Sequence, residues 1–352
     1  MENFHLNVAL LRARVPNLTV ASRKAGLRPA TVSNLCTGKI PIGRAEVRTL
    51  ALLASLAGCT MDELIIRGNP ISMIETGIKM VDLLAPVVKG GMTGFVARPG
   101  TGQMVLMAEI MHRLKMKNYA MIFWKPEVAV VGSDEIVKES DCVCNHADEV
   151  YERILEFGPE REIILGADRA VVLSGEMSGL QEKLRGTTGL KPITTMLVDI
   201  SGDAVDEDTP FGPLDTFLRF DPELTTRGLF PALDPVVSTS IILEGAELEP
   251  AHLQIQQQTR KLLRRYRELR PLVGFRGIEK LSESEKMMYR RGERMEAFLS
   301  QPFYLAEPYT KKKAEWISLQ ATLEDARTIL DGGADLIASD LLFFTGRIKK
   351  RT

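Results

Sequence analysis

The sequence predicts an α/β protein in three parts: a small all-α head, a core with a parallel sheet, and a helical C-terminal segment. Short amphipathic stretches lead the chain, apolar runs then alternate with helical patterns, and long charged helices close it. The length of 352 residues corresponds to two or three domains at about 150 residues each. A hydrophobic content of 45% with 26% charged residues excludes a wholly disordered chain.

The head, residues 1–68, is predicted to be helical throughout. Amphipathic stretches cover Leu18–Lys24, Ala30–Leu35 and Arg44–Leu56. Helices this short are stable only when they pack together. The breaker cluster Gly68-Asn69-Pro70 then predicts a domain boundary.

Residues 69–248 are predicted to form the sheet domain, and residues 249–352 a helical domain. Alternation of buried strands with crossover helices is typical of a parallel sheet flanked by helices. The predicted strands are Met92–Ala97, Tyr119–Trp124, Ile163–Ala167 and Ile193–Ile200, and the predicted helices are Gln103–Lys115, Ala147–Phe157, Ala251–Arg270 and Glu283–Leu299.

Charge and cysteine content limit the partners and the compartment. Residues 1–68 carry nine Lys/Arg against four Asp/Glu, a net +5, whereas the remainder carries 36 against 42, a net −6. A basic head indicates a polyanion partner for the head alone. No apolar run approaches a membrane span, and no secretory signal is recognisable. The four cysteines indicate a reduced, cytoplasmic protein, and Cys142-Val-Cys144-Asn-His146 lacks the second cluster that a metal site needs.

The stretch from Leu18 to Lys39 has the layout of a helix-turn-helix. Leu18, Ala21, Val32 and Leu35 supply its apolar face, and Gly26 allows the tight turn. Short polar or basic side chains then face outward, where a recognition helix meets base edges; these are Arg28, Thr31, Ser33 and Asn34. Four further cations are placed to meet phosphates; these are Arg23, Lys24, Lys39 and Arg44.

This segment resembles the DNA-binding domain of the Cro/C1-type (XRE-like) repressors, and the likeness continues to the ending Cys59–Ile65. It covers about 55 residues and implies that the head binds DNA. The alternative is a helical module that retains the fold for protein contacts only.

ARPGTGQM, residues 97–104, lies where a phosphate-binding loop would connect a strand to a helix. Such a loop needs Gly at its first position, Lys for the terminal phosphates and Ser/Thr for magnesium. These three slots hold Ala97, Gln103 and Met104. Gly100, Thr101 and Gly102 leave backbone amides for an anion, and Arg98 is a cation that could partly replace the lysine.

Residues 74–352 resemble the beta subunit of the rotary ATP synthase without its β-barrel domain. The runs that carry the likeness are Glu75–Pro86, Gly228–Pro235 and Phe298–Thr310. The resemblance implies a RecA-like core, a ring-shaped homo-oligomer with a hexamer as the expected form, and nucleotides at the subunit borders.

Carried over by position, the resemblance implies an adenine pocket and a depleted catalytic centre. The adenine slots hold Phe230, Phe303, Ala306 and Tyr309, which can stack on or enclose a flat base. The arginine-finger slot holds Ile241, Asp168 aligns with the magnesium-orienting acid, and Glu127 falls near the catalytic base. Because an arginine finger alone contributes roughly 10³–10⁵ in rate, we expect no hydrolysis. Binding of an adenine nucleotide without hydrolysis stays open beside simple core packing of the aromatic residues.

Together these features predict a DNA-binding regulator or DNA-organising protein with a catalytically inactive, ring-forming body. Several weak heads on one ring would gain avidity. One alternative is a structural ring that uses the head for protein contacts. The other is an atypical ring NTPase that uses Arg98 for the lysine and Glu127 as base.

Overall fold

The computed structural model describes residues 4–15, 17–36, 40–67, 71–126, 132–207, 211–243 and 248–348. The chain divides into two compact units, Met1–Met73 with Ile241–Leu253 and Ile74–Ser240 with Gln254–Thr352. Within the described residues, no helix is long and apolar enough to cross a membrane.

The first unit is a set of short helices closed by a two-stranded ribbon. Its elements are β1 (Phe4–Leu6), α1 (Val8–Arg14), α2 (Leu18–Lys24), α3 (Pro29–Cys36), a 3-10 turn (Ile42–Arg44), α4 (Val47–Ala57), α5 (Met61–Leu64) and β2 (Ile65–Arg67), together with a 3-10 turn at Ile241–Leu243. Leu11, Leu53 and Leu64 are fully buried and form the centre of its core. The helices are therefore stabilised by packing on one another, as their length requires.

This unit departs from the all-helical expectation at its two ends. β1 pairs antiparallel with β2, with Phe4 opposite Arg67 and Leu6 opposite Ile65. Each strand has three residues, which is too short for an alternating pattern to be recognised in the sequence. The pairing joins segments about 60 residues apart and is a tertiary contact that local propensity does not reveal.

The second unit is built on a seven-stranded sheet with the order β11-β10-β5-β9-β8-β6-β7. Neighbouring strands are parallel except β10 and β11. The strands are β5 (Met92–Val96), β6 (Ala120–Trp124), β7 (Cys142–Cys144), β8 (Ile163–Asp168), β9 (Ile193–Val198), β10 (Thr216–Arg219) and β11 (Thr239–Ser240), and two further strands, β3 (Met73–Ile74) and β4 (Val87–Val88), form a separate pair. The predicted parallel sheet is confirmed.

Helices cover this sheet. They are α6 (Lys79–Leu84), α7 (Gln103–Lys115), α8 (Ser133–Glu139), α9 (Ala147–Phe157), α10 (Ala170–Leu173), α11 (Glu176–Arg185) and α12 (Pro222–Thr226). The bounds of α7 and α9 are those predicted. α7 is buried on nearly all sides, because the sheet and the C-terminal helices enclose it.

The C-terminal region contributes α13 (Pro250–Arg276), α14 (Glu283–Leu299), α15 (Glu307–Thr310) and α16 (Leu319–Leu330). α13 is longer than predicted and continues past Pro271. Met295, Phe298 and Ile329 are fully buried in the same apolar core as Met107 of α7. The sheet and the C-terminal helices of this unit therefore share one core.

The connection between β5 and α7, residues 97–102, lies at the carboxyl end of the parallel strands. Parallel α/β sheets bind ligands at this edge, in the crevice outside the strand ends. The predicted phosphate loop is thus located where a ligand site is expected.

Candidate ligand cavity and candidate DNA-binding surface

A cavity of about 430 Å³ opens beside the amino end of α7. This volume lies within the usual range of small-molecule sites, about 300–1,000 Å³. The described residues that line it are Thr101, Gly102, Val105, Leu106, Phe220, Phe230, Pro231, Ala232, Gln301, Pro302, Phe303, Ala306, Thr310, Lys312 and Phe344. Four phenylalanine rings and two prolines make the walls apolar and flat, which suits a planar ring.

Three of the four predicted adenine-pocket residues meet in this cavity: Phe230, Phe303 and Ala306. Tyr309 is not among the described lining residues, and its side chain is 83% exposed. Tyr309 lies on the short helix α15, where its ring is exposed to solvent. We therefore remove Tyr309 from the predicted base clamp.

A buried ion pair in α7 fixes the segment that carries Phe303 and Ala306. Glu109 and Arg113 are both fully buried, with 2.6 Å between Oε1 and Nε. The Glu109 carboxylate also accepts hydrogen bonds from the backbone N–H groups of Tyr304, at 3.0 Å, and Leu305, at 3.1 Å. Because the carboxylate is charged and desolvated, these contacts hold the cavity wall in one position.

Gln301 anchors the same wall from the other side. Its Oε1 accepts from the backbone N–H of Lys79 at 3.0 Å, and its Nε2 donates to the carbonyl oxygen of Gly77 at 2.8 Å. Its own backbone N–H donates to the carbonyl oxygen of Phe230 at 2.8 Å. The polar atoms of the Gln301 amide are thus engaged within the protein.

The phosphate-loop end of the site does not offer a cation to the cavity. The Arg98 side chain is 57% exposed and pairs with Asp206 at 3.2 Å. It lines a separate cavity of about 370 Å³ that also contains Arg219, Asp221 and Asp234. The apolar cavity beside α7 therefore receives no cation from Arg98.

The remaining loop residues are engaged internally. The Thr101 hydroxyl donates to the carbonyl oxygen of Arg98 at 2.7 Å and lies 3.3 Å from Oε1 of Gln103. Gln103 and Met104 are buried. Gly100 and Gly102 adopt positive φ angles of 82° and 100°, a conformation that glycine adopts at no steric cost. The loop therefore has two glycines in the left-handed region, and the side chains at Gln103 and Met104 are uncharged and buried.

Among the residues that the resemblance assigns to catalytic positions, Asp168 is engaged in structural hydrogen bonds. The Asp168 carboxylate accepts from the backbone N–H groups of Ala170, at 2.8 Å, and Ile200, at 3.2 Å. Ile241 begins a 3-10 turn and is half-buried. Glu127 lies outside the described residues.

Lys312, Thr310 and Phe344 are cavity residues that the sequence did not reveal. The Lys312 ammonium lies 3.7 Å from the centroid of the Phe344 ring. Phe344 is held by a hydrogen bond from its backbone N–H to the Ser300 hydroxyl at 3.0 Å. The three consecutive lysines at 311–313 are a visible signal, but no spacing in the sequence relates them to Phe344.

Lys79 fastens the chain next to Phe344. Its buried ammonium donates to the carbonyl oxygens of Phe298 and, at 2.7 Å, of Thr345. Burial lowers the pKa of Lys79 from 10.5 to about 7, while Asp325 and Glu315 act in the opposite direction.

The pH dependence of stability should report this buried lysine. Between about pH 7 and 10.5 the unfolded chain keeps a proton that folded Lys79 has released, so the free energy of unfolding rises with pH in this window. The slope from this group is at most about 1.4 kcal/mol per pH unit. We expect Lys79→Met to remove that rise and the exposed-site control Lys261→Met to retain it, measured by urea unfolding across the window. Parallel pH profiles for wild type and Lys79→Met would contradict the assignment.

In the first unit, α2 and α3 form the two helices of the predicted helix-turn-helix. Gly26 lies between the two helices with a φ of +79°. This left-handed conformation of the backbone favours glycine, even though a side chain at this position would meet no other atoms. Val32 and Leu35 are buried, and the Asn17 side chain caps α2 by accepting from the backbone N–H of Val20. The other two predicted apolar residues, Leu18 and Ala21, are half-buried against the same core, and the buried residue of α2 is Ser22.

Most of the described candidate DNA-binding residues are exposed to solvent. Arg23, Lys24, Arg28, Ser33 and Arg44 are exposed. Thr31 and Asn34 are half-buried on α3. Lys39 lies outside the described residues. The described cations are therefore available to solvent on the same small unit.

Comparison with known proteins shows a likeness in fold to an ATP synthase subunit. Residues 244–335 match the family model described as the C-terminal domain of V and A type ATP synthase. The solved structure of "a unique ATP synthase subunit NeqB from Nanoarcheaum equitans" aligns with a TM-score of 0.59, with 18% identity over 75% of this chain and 77% of that one. The mixed α/β body, with its parallel-dominated sheet and helical C-terminal region, is thus similar in fold to an ATP synthase subunit.

Proposed function

We propose that this protein is a DNA-binding regulator or DNA-organising protein whose ATP synthase beta-like body holds a ligand without hydrolysing nucleotide. The observation that carries the proposal is the set of exposed cations on and between the helices α2 and α3. It combines exposed Arg23, Lys24 and Arg28 with the polar side chains Thr31 and Ser33 on α3. A short recognition helix with basic flanks is suited to the major groove and its phosphates.

The charge of the head favours DNA over a protein partner for this surface. Residues 1–68 carry a net +5, whereas the rest of the chain carries −6. A protein with this asymmetry is attracted to a polyanion through the head, while the body is repelled. Phosphate contacts from the exposed cations would supply most of the affinity.

The body is proposed to form a homo-oligomeric ring, with six copies as the expected number. The likeness to an ATP synthase subunit supports this proposal. Several heads on one assembly would raise the effective concentration of each head at neighbouring DNA sites. Light scattering of the purified chain tests the assembly, and a monomer at all concentrations would contradict it.

The body is further proposed to lack hydrolytic activity. We expect phosphate release from ATP to be no faster for the wild type than for Arg98→Ala, because Gln103 and Met104 are buried and Arg98 pairs with Asp206. A phosphate-release assay on both proteins measures this. Turnover that depends on Arg98 would instead favour an atypical NTPase.

The DNA proposal is tested by incubating the full chain with fragmented genomic DNA at near-physiological salt and sequencing what is retained. Enrichment of defined sites identifies a regulator. Broad retention identifies a DNA-organising role. Absence of retention would overturn the proposal and leave the head as a protein-contact module.

A further inference from the structure

The walls of the 430 Å³ cavity define the shape of its ligand. The rings of Phe220, Phe230, Phe303 and Phe344 contribute to one apolar space. Among the described lining residues the polar side chains are Thr101, Gln301, Thr310 and Lys312. Because the Gln301 amide and the Thr101 hydroxyl already have partners within the protein, most of the ligand surface would contact hydrocarbon. A planar aromatic ring satisfies this environment.

Lys312 supplies the one charge. It is the only ionisable side chain among the described residues that line the cavity. Its ammonium lies over the Phe344 ring at 3.7 Å, and no carboxylate of the described residues forms an ion pair with it. A cation on an aromatic face can still accept an anion from the open side, because the ring engages only one side of the ammonium.

The phosphate-loop end disfavours a long polyanion. Arg98 is neutralised by Asp206. The adjoining cavity, which Phe220 also lines, contains Asp206, Asp221, Asp234, Arg98 and Arg219, and Arg267 pairs with Asp234 at 2.9 Å. A triphosphate that extended toward this end would lack the lysine that phosphate-binding loops provide, because Gln103 stands in that position.

We propose that this cavity binds a planar aromatic ligand with a single anionic group, that Lys312 is the counter-ion, and that a nucleoside triphosphate is disfavoured. This inference deepens the ligand-binding part of the proposed function and does not depend on DNA binding. A nucleoside monophosphate and an aromatic carboxylate share the required chemistry. Lys312 is thus a specificity-determining residue that lies far from the phosphate loop, residues 97–102, in the sequence.

The test measures binding to the full chain by isothermal titration, with AMP, adenosine and ATP as one set and 2-naphthoate and 2-naphthol as another. We expect at least one anionic probe to bind roughly fivefold more tightly than its neutral partner, as one partly exposed charge pair provides. ATP should bind more weakly than AMP. Binding of AMP alone assigns the ligand to nucleotides, binding of naphthoate alone assigns it to aromatic acids, and binding of both supports the shared chemistry.

Two variants locate the site. Lys312→Ala should remove the preference for the anion, whereas the neighbouring control Lys313→Ala, which makes the same charge change outside the lining, should keep it. Ala306→Trp should abolish binding by filling the cavity, with its thermal unfolding measured to show that it folds. The inference is overturned by equal affinity for charged and neutral probes, by equal effects of the two lysine variants, by tighter binding of ATP than AMP, or by no binding of any probe up to about 1 mM. Each of these outcomes is independent of whether the head binds DNA.

Discussion

Replacing Arg28 with glutamate is expected to lower the affinity of the full chain for DNA by about 10- to 100-fold at near-physiological salt. Arg28 is exposed and immediately precedes α3, the predicted recognition helix. The substitution removes a cation from the end of the helix that we propose to enter the groove. It also places a carboxylate against the phosphates, so repulsion adds to the lost contact.

The measurement is fluorescence anisotropy of labelled DNA over a series of salt concentrations. Arg185→Glu is the matched control, because Arg185 is also exposed, lies on α11 of the second unit, and gives the same change in net charge. We expect that control to bind DNA almost as the wild type does. Equal losses for both variants would assign the effect to overall charge, and no loss for Arg28→Glu would remove the helix pair from the DNA interface.

The salt dependence separates positioning contacts from base contacts. Alanine at Arg23, Lys24 or Arg44 should reduce the slope of log affinity against log salt by roughly 0.9 for each phosphate contact removed. Such variants should weaken binding to all sequences alike, whereas Arg28→Ala should also relax sequence preference if its side chain reaches a base. An unchanged slope in all three variants would contradict the placement of these cations against phosphates.

The long helices and central strands could be predicted from the sequence because their patterns are local. The bounds of α7, α9 and α14 agree with the prediction, and α14 begins with a Ser282–Glu285 capping box, a signal that depends on four adjacent residues. β7, β10 and β11 have only two to four residues. They become strands by pairing with segments that are distant in the sequence, and a local pattern cannot predict such pairing.

The cavity was predictable only in part, and the reason is again distance along the chain. The resemblance identified Phe230, Phe303 and Ala306, which the structure brings together. Lys312 and Phe344 also line the cavity. The segment that contains Phe344 is held in place by hydrogen bonds from Lys79 to the Thr345 carbonyl oxygen and from the Phe344 backbone N–H to Ser300. Residues far apart in sequence meet here through tertiary packing, so neither periodicity nor motif spacing could relate them.

The burial of two charged side chains in α7 is a further feature that the helical periodicity of the sequence does not predict. A polar residue in an amphipathic pattern is normally assigned to the solvent side. Glu109 and Arg113 are instead fully buried, because the C-terminal region covers the face of α7 that would otherwise be exposed to solvent. The ion pair is therefore buried because the sheet and the C-terminal helices share one core. Its contribution to stability depends on the cost of removing both charges from water.

Removing one partner of this pair should produce a large loss of stability. We expect Glu109→Ala to lower the free energy of unfolding by about 3–5 kcal/mol, since the Arg113 guanidinium would remain buried without its counter-charge. The same change leaves the backbone N–H groups of Tyr304 and Leu305 without their acceptor, at a cost of about 1–3 kcal/mol for each donor that stays buried. The segment carrying Phe303 and Ala306 would therefore loosen as well.

Tryptophan fluorescence during urea unfolding measures this effect in the appropriate unit, because both tryptophans, Trp124 and Trp316, belong to the second unit. The matched control is Glu156→Ala, which breaks an exposed helical pair with Arg153 and should cost at most about 1 kcal/mol. The double variant Glu109→Met/Arg113→Met should recover part of the loss, because no buried charge remains unpaired. Its recovery should stay incomplete, since a methionine cannot accept from Tyr304 and Leu305. Equal destabilisation by Glu109→Ala and Glu156→Ala would show instead that the buried carboxylate neither balances Arg113 nor fixes the cavity wall.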